Sequence, residues 1–240
     1  MPKLLYDWRS TGRLQDWKLE GSGEYCVDPD GSLHIRTYNM GPLRRATNCW
    51  IRDLDLPANF EIEWTYRNGS QTNNPVISEG VMLIFNALPV VLKDLWEDPR
   101  PHARYSDIHS YQKMVCYSAG FFRTPYGLPC QIRKLGGRVP ATWGESNLQD
   151  KNAGDFDQIT IFSRGDEPLT AADRGKTARY RLRREGARIR QWCNDVQIHD
   201  WTDDGKYPYF PEPLTGGKVG IRQFNGYMDN WYDEFIVREV

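Results

Sequence analysis

The sequence predicts an all-β protein, a two-sheet antiparallel β-sandwich of the jelly-roll kind. Three observations carry that expectation: short segments that alternate apolar and polar side chains with period two, turn-forming residues between them, and no apolar stripe of helical period. Composition agrees, because 9 Trp, 13 Tyr and 9 Phe bring aromatics to 13% while 21 Gly and 15 Pro supply breaks. Aromatic side chains favour a pleated, half-buried surface. At 240 residues, with no linker and no internal repeat, the chain is expected to form a single domain over 1–240.

The elements follow in order. "GSLHIRTY" (31–38) sets Leu33, Ile35 and Thr37 against His34, Arg36 and Tyr38, a strand with unlike faces. After a break at Leu56-Pro57-Ala58-Asn59, Phe60, Ile62, Trp64 and Tyr66 alternate with Glu61, Glu63 and Thr65. "EGVMLIFNAL" (79–88) is nearly all apolar, as a central strand covered on both faces would be. Residues 89–106, with prolines and mixed charge, read as a long excursion able to cover a cleft, and about 135–155 as a second one. Between them, "DIHSYQKMVCYSAGFFR" (107–123) reads as a strand with its lead-in, and "QIRK" as another. In the last third, "TARYRLRREGARIRQWCNDVQIHDWTDDG" reads as three strands turning at Glu185-Gly186 and Asn194-Asp195. "GGKVGIRQF" and "WYDEFIVREV" add two more.

Charge and cysteines narrow the function classes. Lys and Arg number 31 against 32 Asp and Glu, so the net charge of -1 predicts neither a nucleic-acid nor a membrane partner. Cys26, Cys49, Cys116, Cys130 and Cys193 are odd in number and lack finger spacing, which predicts neither a disulfide framework nor a zinc site. The opening "MPKLLYDWRSTGRLQDW" holds no leader-like or membrane-spanning run. A cytoplasmic location is expected, or a periplasmic one if a leader had been removed.

The strand at 107–123 carries the functional expectation. Regular alternation places Tyr117, Ala119, Phe121 and Arg123 on one face, with His109, Tyr111 and Lys113 upstream in the same parity, and Cys116, Ser118, Gly120 and Phe122 on the other. An imidazole, phenols and cations are costly to bury unpaired, so the first face is expected to line a cleft. A single bulge would reverse that parity. In "QIRK", Gln131 and Arg133 oppose Ile132 and Lys134, and one pair must take the wet side. In "GGKVGIRQF", Val219 and Ile221 are core positions, leaving Lys218, Arg222 and Phe224 on the other face. A guanidinium there suits a carboxylate or sulfate, or else a cross-strand ion pair.

These segments together, with the opening "WKLEGSGEYCVDPDGSLHIRT", resemble over nearly the whole chain the YesU-like family, a family of unknown function with the concanavalin A-like lectin/glucanase fold. The resemblance implies a carbohydrate ligand of the rhamnogalacturonan kind. The fold hosts lectins, hydrolases and lyases alike, and does not choose among them.

Three readings remain. A glycoside hydrolase needs paired carboxyl groups, and the one-strand acidic triplet common to glucanases of this fold is absent. β-Elimination at a uronic acid needs a base, an acid and a cation against the developing carboxylate charge. His109, Tyr117 and Tyr111 are the candidate catalytic residues for it, and Arg123, Arg133, Lys134, Arg222 and Gln223 the candidate substrate contacts. The expected substrate is an acidic, rhamnose-containing oligosaccharide such as a rhamnogalacturonan or ulvan fragment, and the enzyme would be a lyase or a dehydratase. A non-catalytic lectin-like module explains the composition equally well. No cofactor and no metal are predicted, a structural calcium aside, for which Asp229 and Asp233 would supply two of six or more oxygens. His34, His102 and His199 are expected at the surface.

Overall fold

The structure is a computed structural model that describes residues 2–10, 12–21, 23–38, 46–69, 79–89, 114–124, 131–136, 160–164, 175–207, 210–224 and 228–240. His109, Tyr111, His102, Cys130 and most of both excursions therefore lie outside the described residues.

Two antiparallel sheets face each other, as the alternation predicts. Among the described residues one sheet has nine strands: β1 (Lys3–Asp7), β3 (Gly23–Val27), β4 (Leu33–Thr37), β6 (Phe60–Asn68), β11 (Thr177–Glu185), β12 (Arg188–Cys193), β13 (Val196–Thr202), β15 (Met228–Tyr232) and β16 (Phe235–Glu239). The other has seven: β2 (Trp17–Gly21), β5 (Ala46–Ile51), β7 (Glu79–Pro89), β8 (Met114–Thr124), β9 (Gln131–Gly136), β10 (Thr160–Arg164) and β14 (Lys218–Phe224), in the order β10-β9-β8-β7-β14-β5-β2. Consecutive strands pair in β3–β4, β7–β8–β9–β10 and β11–β12–β13, and long-range pairings such as β11 with β6, β15 with β4 and β14 with both β5 and β7 join these groups. No helix among the described residues is long and apolar enough to cross a membrane.

The core lies between the sheets. From β6, Phe60, Ile62, Trp64 and Tyr66 point inward, where Trp64 stacks on Tyr180 at 5.3 Å and Phe60 meets Phe85 of the opposite sheet edge-on at 6.0 Å. Trp17 of β2 meets Phe235 of β16 at 5.4 Å. Burying each such ring stabilises the fold by about 1.5–3 kcal/mol. Polar ties cross the same space: Thr37 Oγ1 donates to Gln223 Oε1 at 3.0 Å, and Gln223 Nε2 donates to Tyr232 Oη at 3.1 Å. Central strand β7 is buried on both sides, with Val81, Leu83 and Phe85 in the main core and Met82 and Ile84 in a second cluster on the outer face.

Turn chemistry is as expected with one shift. Asn194 and Asp195 join β12 to β13 with φ of 47° and 65°, the left-handed pair of a type I′ turn. Between β11 and β12 the two loop residues are Gly186 and Ala187, because Glu185 still pairs with Arg188.

One edge of β6 is shared. Its end at Arg67 and Asn68 pairs with β15, and Phe60 to Trp64 pair with β16. β15 leads on to β4 and β3, while β16 leads on to β1. Thr65 sits where the two diverge, its Oγ1 accepting the N–H groups of Asp233 at 3.1 Å and Glu234 at 2.9 Å.

Candidate functional site on the outer face of the seven-stranded sheet

Alternation along β2, β5, β7, β8, β9 and β14 puts one set of the described side chains in the core and the other on the outer face. Register then lines up the outer set across the sheet. One row runs through Arg133, Ser118, Ile84, Gly220, Trp50 and Lys18. The adjacent row runs through Gly120, Met82, Arg222, Asn48 and Glu20.

Local chemistry fixes these residues. Trp50 Nε1 donates to Glu20 Oε2 at 3.0 Å, and Lys18 Nζ lies 3.2 Å from Glu20 Oε1. Gly220 is required beneath the indole, since a Cβ there would stand 2.7 Å from both the Trp50 ring and the Cys49 carbonyl. Arg222, 2% exposed, donates from Nη1 to Asn48 Oδ1 at 3.1 Å. Burial pushes the Cys116 thiol up to about 12, with the Arg222 charge acting in the opposite direction. Arg133 is half-buried and donates to Gln131. Gly120 in the adjacent row would tolerate a side chain, since an added Cβ would make ordinary contact with Gln131 at 3.5 Å.

The structure thus divides the residues singled out from sequence. Arg222 and Arg133 occupy the outer face, and the Gln131 and Arg133 pair is the one directed away from the core. Arg123 pairs through its backbone with Gly80, beyond a register shift that makes Phe121 an extra residue in β8. His109 and Tyr111 lie outside the described residues.

Tyr117, Lys134 and Gln223 are corrections: they point between the sheets rather than into a cleft. Tyr117 is fully buried, stacked on Phe85 at 5.4 Å, its hydroxyl donating to Asp203 Oδ2 at 2.5 Å and accepting from the Leu214 N–H at 3.1 Å. Lys134 donates to the same carboxylate oxygen and to the Glu212 carbonyl, each at 2.7 Å. Both side chains of that ion pair are 0% exposed. Arg184 stands over the Tyr117 ring at 5.0 Å and donates to Asn86. Burial raises the Tyr117 phenol, reinforced by the Asp203 bond, and burial lowers the Lys134 ammonium against the pull of Asp203. The physical reason for the reversal is that burial of phenol and cation is compensated by a carboxylate 86 residues away from Tyr117 in sequence. Asp203 and Arg184 were not singled out beforehand. Asp203 reads locally as a turn acid.

Two histidines are likewise buried rather than exposed, one in the core and one on an outer face. His199 is buried on β13, and burial pushes it down to about 4. His34, 2% exposed, lies against Asp28, Asp229 and Trp231 on the outer face of the nine-stranded sheet. Among the described residues, Cys26, Asp28 and His34 form the group able to hold a metal ion. Of the acids named for calcium, Asp229 bonds His34 and Arg36, and Asp233 faces Arg9 at 3.9 Å.

No family model matches the chain. It is similar to an uncharacterized protein, YesU, of Bacillus subtilis (strain 168), at 25% identity over 242 residues covering 97% of this chain and 93% of the relative. A crystal structure of a protein of unknown function with a galectin-like fold, from Bacillus subtilis, matches with TM-score 0.74 at 22% identity, covering 100% of this chain and 98% of the other. The carbohydrate binding module CBM66 from Bacillus subtilis matches with TM-score 0.52 at 12% identity, over 93% and 96%. These likenesses bear on the fold, a galectin-like β-sandwich, in agreement with the jelly-roll expectation.

Proposed function

We propose that the protein acts on or binds carbohydrate at the outer face of the seven-stranded sheet, and that the ligand carries an acidic group. The observation that carries this reading is the placing of two guanidinium groups, Arg133 and Arg222, on adjacent rows of one face that also holds Trp50 and Asn48. Arginine meets a carboxylate with two parallel hydrogen bonds. A fold shared with a carbohydrate binding module supports the ligand class by analogy.

Titration calorimetry with uronic-acid and matched neutral oligosaccharides tests it. A charge-assisted bond contributes about 1.5–3 kcal/mol, so Arg133→Gln is expected to weaken the acidic ligand about 10- to 100-fold and leave neutral sugars unaffected. Equal affinity for both sugars, or no effect of the substitution, would overturn the reading.

β-Elimination is the finer form of the same proposal. The arginines supply its carboxylate clamp, and the end-acting versions suit a cytoplasmic protein receiving short imported oligosaccharides. Tyr117 donates its proton to Asp203 inside the core, so the base and acid must come from elsewhere. Saturated uronic oligosaccharides followed by ultraviolet absorbance and product mass separate the cases. Rising absorbance marks elimination, and loss of one water marks a dehydratase rather than a lyase. Binding without reaction would leave the lectin-like reading.

A further inference from the structure

The β3–β4 hairpin concentrates unlike donors on one face. Asp28 follows directly on β3 with its Oδ1 3.7 Å from Cys26 Sγ, and Cys26 is the direct cross-strand partner of His34 on β4. We propose that Cys26 Sγ, Asp28 Oδ1 and His34 Nδ1 bind a divalent transition metal of the zinc type, with the fourth position open to solvent. The ligand atoms all lie within 4.8 Å of one another.

Two of the three distances between the donor atoms suit a metal. Bonds of zinc to nitrogen, oxygen and sulfur imply tetrahedral edges of about 3.3 Å for nitrogen to oxygen and about 3.6 Å for sulfur to oxygen. Here Nδ1 to Oδ1 is 3.3 Å and Sγ to Oδ1 is 3.7 Å.

The surroundings orient the donors as a metal site requires. His34 Nε2 meets Asp229 Oδ1 at 2.7 Å, which holds the proton on Nε2 and leaves the Nδ1 lone pair facing Asp28 and Cys26. Trp231 Nε1 donates to Asp28 Oδ2 at 2.6 Å and leaves Oδ1 for the ion. The same indole stacks on the imidazole at 4.3 Å, fixing the ring plane. Arg36 bonds Asp229 and Glu24, so its charge is compensated by these carboxylates. Cys26 and Asp28 are partly exposed, giving the ion an entry path. Mixed nitrogen, oxygen and sulfur donors suit zinc or cobalt and not calcium or magnesium. Binding releases the thiol proton. The ligands make a C-x-D-x5-H pattern, outside finger-type spacing.

Cobalt(II) added to the metal-stripped full chain is the probe. The expected result is intense tetrahedral bands with a thiolate-to-cobalt charge-transfer band. Cys26→Ser, a one-atom change, is expected to abolish the charge-transfer band, and Asp229→Asn to weaken binding about 10- to 100-fold. Circular dichroism checks that each variant is folded. A wild-type spectrum without the thiolate band, or equal cobalt affinity in wild type and Cys26→Ser, would overturn the site. This readout is independent of sugar binding, which belongs to the other sheet.

Discussion

Lys134→Met and Asp203→Asn, made singly and together, test whether the Tyr117 cluster holds the fold or serves the ligand. Lys134 carries two hydrogen bonds at 2.7 Å, to Asp203 and to the Glu212 carbonyl, and Asp203 Oδ2 accepts from Lys134 and Tyr117 at once. Either single change leaves a charge uncompensated in a space where both side chains are 0% exposed. Such a loss costs about 3–5 kcal/mol, equivalent to ~6–20 °C in Tm for a chain of this size. In the double variant neither charge remains, and the carboxamide that replaces the Asp203 carboxylate can still accept from Tyr117. It is therefore expected to be more stable than the two single losses added together, by about 2 kcal/mol or more. Urea unfolding followed by tryptophan fluorescence measures all four proteins, and calorimetry measures their ligand affinity. Single costs below about 1 kcal/mol, additivity in the double, or lost affinity at undiminished stability would refute the assignment of this cluster to the core.

Other consequences follow from the same contacts. Gly220→Ala is expected to displace the Trp50 indole and cost about 1–3 kcal/mol, seen as a shifted tryptophan emission and a lower unfolding midpoint. His199 titrates at about 4 folded against 6.5 unfolded, so between these values the unfolded chain binds more protons. Its contribution is fully present above pH 6.5 and is lost as pH falls through 4, about 3 kcal/mol in all. His199→Gln is expected to remove that part of the pH dependence of unfolding, and parallel curves for the two proteins would contradict it. Asn194→Ala loses a bond from the Arg179 N–H at 2.9 Å and keeps a left-handed φ, and is expected to cost about 1–2 kcal/mol by thermal unfolding.

Strands were legible in the sequence because burial on one face writes a local period. β6 is the plainest example, with inward Phe60, Ile62, Trp64 and Tyr66. The outward position of Arg222 followed from Val219 and Ile221 by the same logic. Tyr117 and Lys134 were misplaced because local pattern prices a buried phenol or ammonium without its partner, and that partner arrives from the β13–β14 connection. The outer-face pair Asn48 and Trp50 alternates with Cys49 and Ile51 in "NCWI", a signal visible but ambiguous between two apolar faces. The hairpin donors escaped notice since Cys26 and His34 meet only through strand pairing, and spacing rules built on fingers do not register a cross-strand contact.

The divergence of β15 and β16 from one edge of β6 means that the larger layer is a spine with two branches rather than a continuous plane. Thr65 ties the junction through its hydroxyl and through its N–H, which donates to the Glu234 carbonyl at 3.2 Å. Amide protons of β1 and β16 are then expected to exchange as one cooperative unit, and those of β3, β4 and β15 as a second. Thr65→Val would sharpen the boundary between these units while leaving the backbone ladders of both intact.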